Sequence, residues 1–335
     1  SKEERLMFIR PVTNADEAAL FRFWNERAPL QGFAPLRANQ FSAIFFKNKF
    51  FNHDFAFVAE QEHVLKGFVC GAADSRLPAG DVRGYFSCLL LAEGFDTAEN
   101  ANLLLSALEN AFLKAGRSVS DVLFFNPIRL PWCIPNTNGH QHNNAPGVWV
   151  ETPLHAWLLA RGYAERARES AMYLNLADFS IPQKQLDKAA RLSADHYEIV
   201  FYNAKRHTAL CEMLTVLGNA EWQNEIMQCA KDGTPFLVAA QQGRVVGFAG
   251  PVYAEESGRG YFTGIGVVPA HEGHGLGSLL FCLLCDAEKK AGAEYMSLFT
   301  GETNPAKKIY EGFGFSTVRT FGLLRKTLLP APVHL

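Results

Sequence analysis

The chain has 335 residues, 48% hydrophobic and 20% charged, with a formal net charge of −2. Length alone points to about two domains, and this balance describes a soluble globular protein with ample apolar side chain for a core. It has neither the basic surplus of a nucleic-acid binder nor an apolar run of the roughly 18 residues that a membrane span needs, so neither partner is expected. The opening SKEERLMFIRP is charged and runs into a strand-like segment, so no signal peptide is expected. Seven cysteines, set mostly in apolar contexts such as FVCGAA and FSCLLL, read as reduced thiols in a cytoplasmic protein.

Taken in chain order, the elements occur twice. FAFVAEQEHVLKGFVCGAA from Phe55 and FLVAAQQGRVVGFAGPV from Phe236 both alternate into a polar turn and return through Gly-Phe, the pattern of an antiparallel hairpin. Gly84-Tyr85-Phe86 matches Gly260-Tyr261-Phe262, and Ala115-Gly116 matches Ala291-Gly292, both 176 positions apart. Thr152-Pro153 matches Asn304-Pro305, and Gly162-Tyr163 matches Gly314-Phe315, both 152 positions apart, so the first copy carries 24 extra residues after its fifth strand, VLFF at 122–125. Each copy reads as strand, helix pair, hairpin, long strand, amphipathic helix, strand, helix and closing strands. In the second copy these are HYEIVFY, a helical stretch from about Ala204 to Lys231, the hairpin, YFTGIGVV, a helix from Ser278 to Ala291, YMSLFT, the helix PAKKIYEGFG and the strands in STVRTFGLLRKTL. The expected class is α/β in the α+β sense: two tandem domains, 1–178 and 179–335, each a mixed, mostly antiparallel sheet flanked by helices. The polar stretch at 176–194 joins them.

The 24-residue insertion lies within NPIRLPWCIPNTNGHQHNNAPGVWVET. Trp132 and Trp149 suggest that it is packed, either as a long surface loop or against the acceptor or the partner domain. Cys133, His140 and His142 lack a fourth ligand at metal-like spacing, so no metal is expected. Cys282 and Cys285 form C-x-x-C on the apolar side of a helix and read as core.

VVPAHEGHGLGSLLF, residues 267–281, carries the chemistry. A helix N-terminus exposes four unpaired N–H groups and the positive end of the helix dipole, and glycines at 273, 275 and 277 remove the Cβ atoms that would hold a phosphate away. A dinucleotide fingerprint would need G-x-G-x-x-G after an early strand; here the order is G-x-G-x-G after a late one. The stretch resembles motif A of the GNAT superfamily, the acetyl-CoA-dependent N-acetyltransferases: V-x-P, then Q/R-x-x-G-x-G/A and a helix. Val267-Val268-Pro269 is followed by Glu272-Gly273-His274-Gly275-Leu276-Gly277, and NPAKKIYEGFGF at 304–315 matches a second family motif, N-x-x-A-x-x-x-Y-x-x-x-G-F, with the alanine one place early at 306. The resemblance covers about 195–327 well and 6–176 more weakly.

The resemblance implies acetyl-CoA as co-substrate. Main-chain amides from Glu272 to Ser278 would cradle the pyrophosphate, and the pantetheine arm would run beside the strand carrying Ile265 and Val267. An amide of that strand would polarise the thioester carbonyl and steady the oxyanion. Asn304 would reach the cofactor, and Tyr310 would be the general acid that protonates the departing thiolate. Glu272 departs from the Q/R pattern and would weaken pyrophosphate binding unless it turns to solvent or a cation compensates; His274 is one source of charge. In the first copy the loop positions hold Asp96, Thr97, Ala98, Glu99, Asn100 and Ala101, with Leu158 for Tyr310 and Thr152 for Asn304. That copy is expected to be degenerate and not to bind acetyl-CoA.

The base is open among Glu302, Glu221, Glu255 and Glu256. Three readings follow: a small-molecule amine N-acetyltransferase, a non-catalytic acyl-CoA-binding or regulatory module, and a protein acetyltransferase. No motif encodes the acceptor or the oligomeric state.

Overall fold

The computed structural model describes residues 7–329. The opening SKEERL and the last six residues, on which the reading of the chain start and of the second domain's end partly rests, lie outside them. Packing divides the chain into two units, one of residues 1–171 with 318–335 and one of 172–317. The packing division therefore falls at other points than the sequence repeat, because the last strand packs with the first unit.

The first unit contains β1 (Phe8–Pro11), α1 (Glu17–Arg27), α2 (Ala38–Ile44), β2 (Ala56–Gln61), β3 (Val64–Ala72), β4 (Arg83–Leu91), α3 (Ala98–Lys114) and β5 (Val119–Val122). The short strands β6 (Trp132–Cys133), β7 (Gln141–His142) and β8 (Val148–Trp149) follow, then α4 (Pro153–Ala160) and the start of β9 (Ala164–Asn175). β1 to β4 pair antiparallel in sequence order, and β4 pairs parallel with β5. The hairpin turn between β2 and β3 places Glu62 and His63 in the left-handed region, φ 52° and 64°, the two-residue geometry that matches strand twist. Residues 101, 104, 105, 108 and 112 make one buried face of α3, at the spacing of a single helical stripe. The fifth strand lies at 119–122 rather than at VLFF, because residues 123–125 turn away toward the insertion.

The insertion is a built part of this unit. Trp132 is 1% exposed and its indole N–H donates to the Asn144 carbonyl at 2.9 Å. The Arg319 guanidinium lies over the Trp149 ring at 4.0 Å and the Trp132 ring at 5.3 Å, a cation held by two indoles. Its Nη1 donates to the Gly32 carbonyl. Arg319 belongs to β17 (Ser316–Thr327), which pairs with β5 through Leu324↔Val122 and with β8 through Phe321↔Trp149. The two tryptophans thus fasten the last strand. Among the described residues no group of three or more His, Cys, Asp or Glu is arranged to hold a metal, and no helix is long and apolar enough to cross a membrane.

The second unit contains α5 (Gln183–Ala194), β10 (Tyr197–Phe201), α6 (Leu210–Leu217), α7 (Ala220–Asp232), β11 (Leu237–Gln241), β12 (Arg244–Gly250), β13 (Tyr253–Ala254), β14 (Gly260–Tyr261), β15 (Gly264–Val267), α8 (Leu276–Lys290), β16 (Tyr295–Gly301) and α9 (Ala306–Gly312). β10, β11, β12 and β15 form an antiparallel sheet in that order. The β11–β12 turn repeats the first hairpin's geometry, with Gln242 and Gly243 at φ 50° and 80°. The stretch 204–231 holds the expected helix pair, because Gly218 ends α6 at φ 72° and the Asn219 side chain caps α7. The expected single strand YFTGIGVV is instead two, β14 and β15. Cys282 and Cys285 are buried on α8, as expected of core residues.

Glu288, on the inner face of α8, is fully buried, and neither carboxylate oxygen makes a hydrogen bond with a described group. Burial, only partly opposed by the Tyr253 main chain and by Arg259, pushes its pKa up to about 9. Folded chains therefore bind a proton that unfolded chains release above the usual carboxylate range, so stability falls as pH rises from about 4.5 to about 9. Glu288→Gln should remove this slope, which is at most about 1.4 kcal/mol per pH unit. Melting curves of both proteins from pH 5 to 9 check it: their midpoints should separate progressively toward high pH.

Candidate functional site

The site grows from the pairing of β15. Val268 N–H donates to Val246 O, so along this antiparallel pair Gly266 and Gly264 share that bonded parity, while Ile265 and Val267 turn their N–H and C=O groups away from β12. Among the described residues no further strand joins that side of β15. β16 instead meets the chain earlier, at the Arg259↔Tyr295 bridge, and diverges from there. An open main-chain edge is left at Ile265 and Val267, the geometry that an extended amide-bearing ligand completes. Val268, whose amide is taken by β12, contributes packing there instead.

Past Val268 the chain makes a single turn at Pro269–His271 and enters the glycine loop. Gly273 and Gly275 stand at φ 83° and 82°, a region that side chains with a Cβ rarely adopt. Gly275 caps α8, and the amides from Gly273 to Ser278 make no hydrogen bond to a described group. Six main-chain donors and the positive end of a four-turn helix are therefore gathered in one loop. A Cβ on Gly273 or Gly277 would meet nothing within 4 Å; the loop is open above them.

Glu272 and His274 are exposed, so the carboxylate at the Q/R position turns to solvent. A cation from outside the motif stands at the loop. Lys188 of α5 donates from Nζ to Ser278 Oγ at 2.7 Å, and its Nζ is 3.1 Å from where a Gly275 Cβ would be. Burial, then Lys184 and Arg191, pull its pKa below the ordinary value. No local pattern marks Lys188, which lies in the polar linker, 90 residues from its partner.

Leu276 is buried and begins the inner face of α8. One turn beyond Gly277, Phe281 stacks edge-on against Tyr310, ring centroids 4.9 Å apart. Tyr310 is half-buried, its hydroxyl bonds no described group, and burial raises its pKa, so the phenol keeps its proton at neutral pH. Asn304 is exposed and accepts from the Ala306 amide at 2.9 Å, which starts α9. Of the base candidates, Glu255 is held by Arg259 at 2.7 Å, while Glu221, Glu256 and Glu302 are exposed.

The first unit shows the same strand with its edge closed. Gly67↔Leu91 and Val69↔Leu89 repeat the registers of Gly247↔Val267 and Ala249↔Ile265. Here Arg27 Nε donates to Leu91 O at 2.7 Å and Gln31 Nε2 to Leu89 O at 2.8 Å. Two side chains of the chain itself bond the carbonyls that correspond to the open ones of Val267 and Ile265. The cavity left beside them holds about 190 Å³ and is lined partly by Asp96, below the several hundred Å³ usual for ligand sites. Thr97 caps α3 in an extended conformation in place of a left-handed glycine, and Leu158 is buried at the Tyr310 position.

Residues 203–315 match the model of the Acetyltransferase (GNAT) family. Comparison with curated proteins gives no match. A GCN5-related glucosamine N-acetyltransferase region of a fungal multi-domain GH3 β-N-acetylglucosaminidase superposes with a TM-score of 0.69 at 15% identity, over 96% of this chain and 38% of the fungal one. A GCN5-related N-acetyltransferase from Sphaerobacter thermophilus gives 0.62 at 13%, over 97% of both chains. A tandem GNAT protein of the clavulanic acid biosynthesis pathway gives 0.58 at 13%, over 98% of this chain and 100% of the other. The open edge of β15 and the glycine loop lie within the residues that match the family model, and the chain as a whole shares its fold with these tandem and GCN5-related structures.

Proposed function

We propose that the chain is an acetyl-CoA-dependent N-acetyltransferase acting on the primary amine of a small molecule, with one working site, in the second unit. The observation that carries this reading is the coincidence of an unpaired strand edge, six free loop amides and a protonated phenol along β15, α8 and α9. Acetyl-CoA supplies a thioester-activated acetyl group. The residues fit it. The Gly273–Ser278 amides and Lys188 hold the diphosphate, and the Ile265 and Val267 main chain holds the amide-bearing arm. Tyr310 delivers a proton to the leaving sulfur in surroundings poor in water, where an unpaired thiolate is costly. Asn304 holds the start of α9 and thereby Tyr310 on its neighbouring turns. Arg27 and Gln31 close the corresponding edge of the first unit.

Two measurements test this reading. Acetyl-CoA should release free thiol only when a primary amine is added, across a panel of amino acids, polyamines and amino sugars. Acetyl-CoA that binds without thiol release on any amine would favour a non-catalytic acyl-CoA module. For the loop cation, Lys188→Ala should raise the Kd of CoA about tenfold or more and flatten its salt dependence, read by titration at 50 and 300 mM salt. An unchanged affinity would remove Lys188 from the site.

A further inference from the structure

At the end of β15 away from the glycine loop, α7 brings up Trp222, with Glu225 three residues further on the same helix face. The indole covers Gly264, where a Cβ would sit 2.3 Å from Trp222 Cε2, so only glycine lets α7 come this close. Glu225 lies beside Tyr261, whose hydroxyl donates to its Oε2 at 3.2 Å. Oε1 of the same carboxylate makes no hydrogen bond with a described group. Tyr253 stacks on Tyr261, centroids 5.0 Å apart and 24° between planes, and Tyr253 is 40% exposed. A carboxylate with one free oxygen thus stands beside two phenol rings, one of them reached from solvent.

We propose that Glu225, with the rings of Tyr261 and Tyr253, seats the acceptor as an alkylammonium and takes its proton. This rests on the acetyltransferase reading above and adds the acceptor's charge and the residue that meets it. A carboxylate accepts hydrogen bonds and donates none, so it selects N–H donors, and ring faces favour a cation over a neutral or anionic group. The negative field is already visible in the phenols: burial first, then Glu225 and Glu255, push Tyr253 up to about 12, and Tyr261 rises for the same leading causes, burial and Glu225. The proton step balances simply. R–NH3⁺ gives one proton to Glu225 Oε1, the N–H electron pair stays on nitrogen as the lone pair that attack requires, and the carboxylate becomes a carboxylic acid.

The test uses the full chain and two probes of one size, n-butylammonium and 1-butanol, followed by ligand-observed saturation-transfer NMR without acetyl-CoA. Butylammonium should bind and butanol should not. Glu225→Gln, which keeps shape and the Tyr261 hydrogen bond, should weaken butylammonium at least tenfold, and Glu225→Asp less. The CoA affinity of both variants should stay within twofold of the parent, which also reports that they fold. Equal butylammonium binding by parent and Glu225→Gln, or no preference for the ammonium over the alcohol, overturns the assignment. If the parent binds no acetyl-CoA, the enzymatic reading fails instead, and the two failures are distinct.

Discussion

Gly275→Val is expected to cost the chain its acetyl-CoA affinity, raising the Kd by about a hundredfold or more, which corresponds to roughly 3 kcal/mol. Two effects add. The backbone there stands at φ 82°, where a β-branched side chain is a genuine outlier, and the new atoms would enter space already filled by the Lys188 side chain, 2.9 Å from the Cβ position. Relaxing either strain rotates the first amides of α8 out of the cradle. Gly116→Ala is a useful control, since that glycine also has a positive φ, 76°, but lies in the first unit with nothing within 4 Å of its Cβ position. It should lose a little stability and no affinity. Calorimetric titration of both variants checks the pair, and a Gly275→Val protein with parental affinity would mean the loop does not hold the ligand.

Tyr310→Phe should lower kcat by about 10²–10³-fold while leaving the Kd of acetyl-CoA within twofold. The ring contacts with Phe281 and Phe315 survive the change, and the lost hydroxyl bonds no described group, so neither fold nor binding has reason to move. Only the proton for the leaving sulfur is removed. Thiol release under saturating amine gives kcat, and the same sample gives the Kd. A variant with parental kcat would show that another donor or water serves the sulfur.

The fold was legible because both of its signals are local and repeated. Hairpins with two-residue turns at Glu62–His63 and Gln242–Gly243, and the α3 stripe, are written as periods of 2 and 3.6 in the chain. The glycine loop was legible for the same reason: positive φ at Gly273 and Gly275 demands the residue type that marks the motif. The missing pieces act across long separations. Lys188 meets Ser278 from 90 residues away and Arg319 reaches Trp149 from a different copy of the repeat. Glu225 sits on an ordinary amphipathic helix, and only the β14–β15 break brings Tyr261 to it. The break also split a strand that its apolar run presents as continuous. No local pattern marks Arg27 and Gln31, and only the pairing of β4 shows that they bond its outer carbonyls.

The central claim is that a single main-chain cradle, in the second unit, binds the acyl-CoA diphosphate. Calorimetric titration of acetyl-CoA into the intact chain, repeated with Gly275→Val, tests it most directly. The account predicts one site per chain, lost in the variant. Two sites, or one site that Gly275→Val leaves intact, would contradict it.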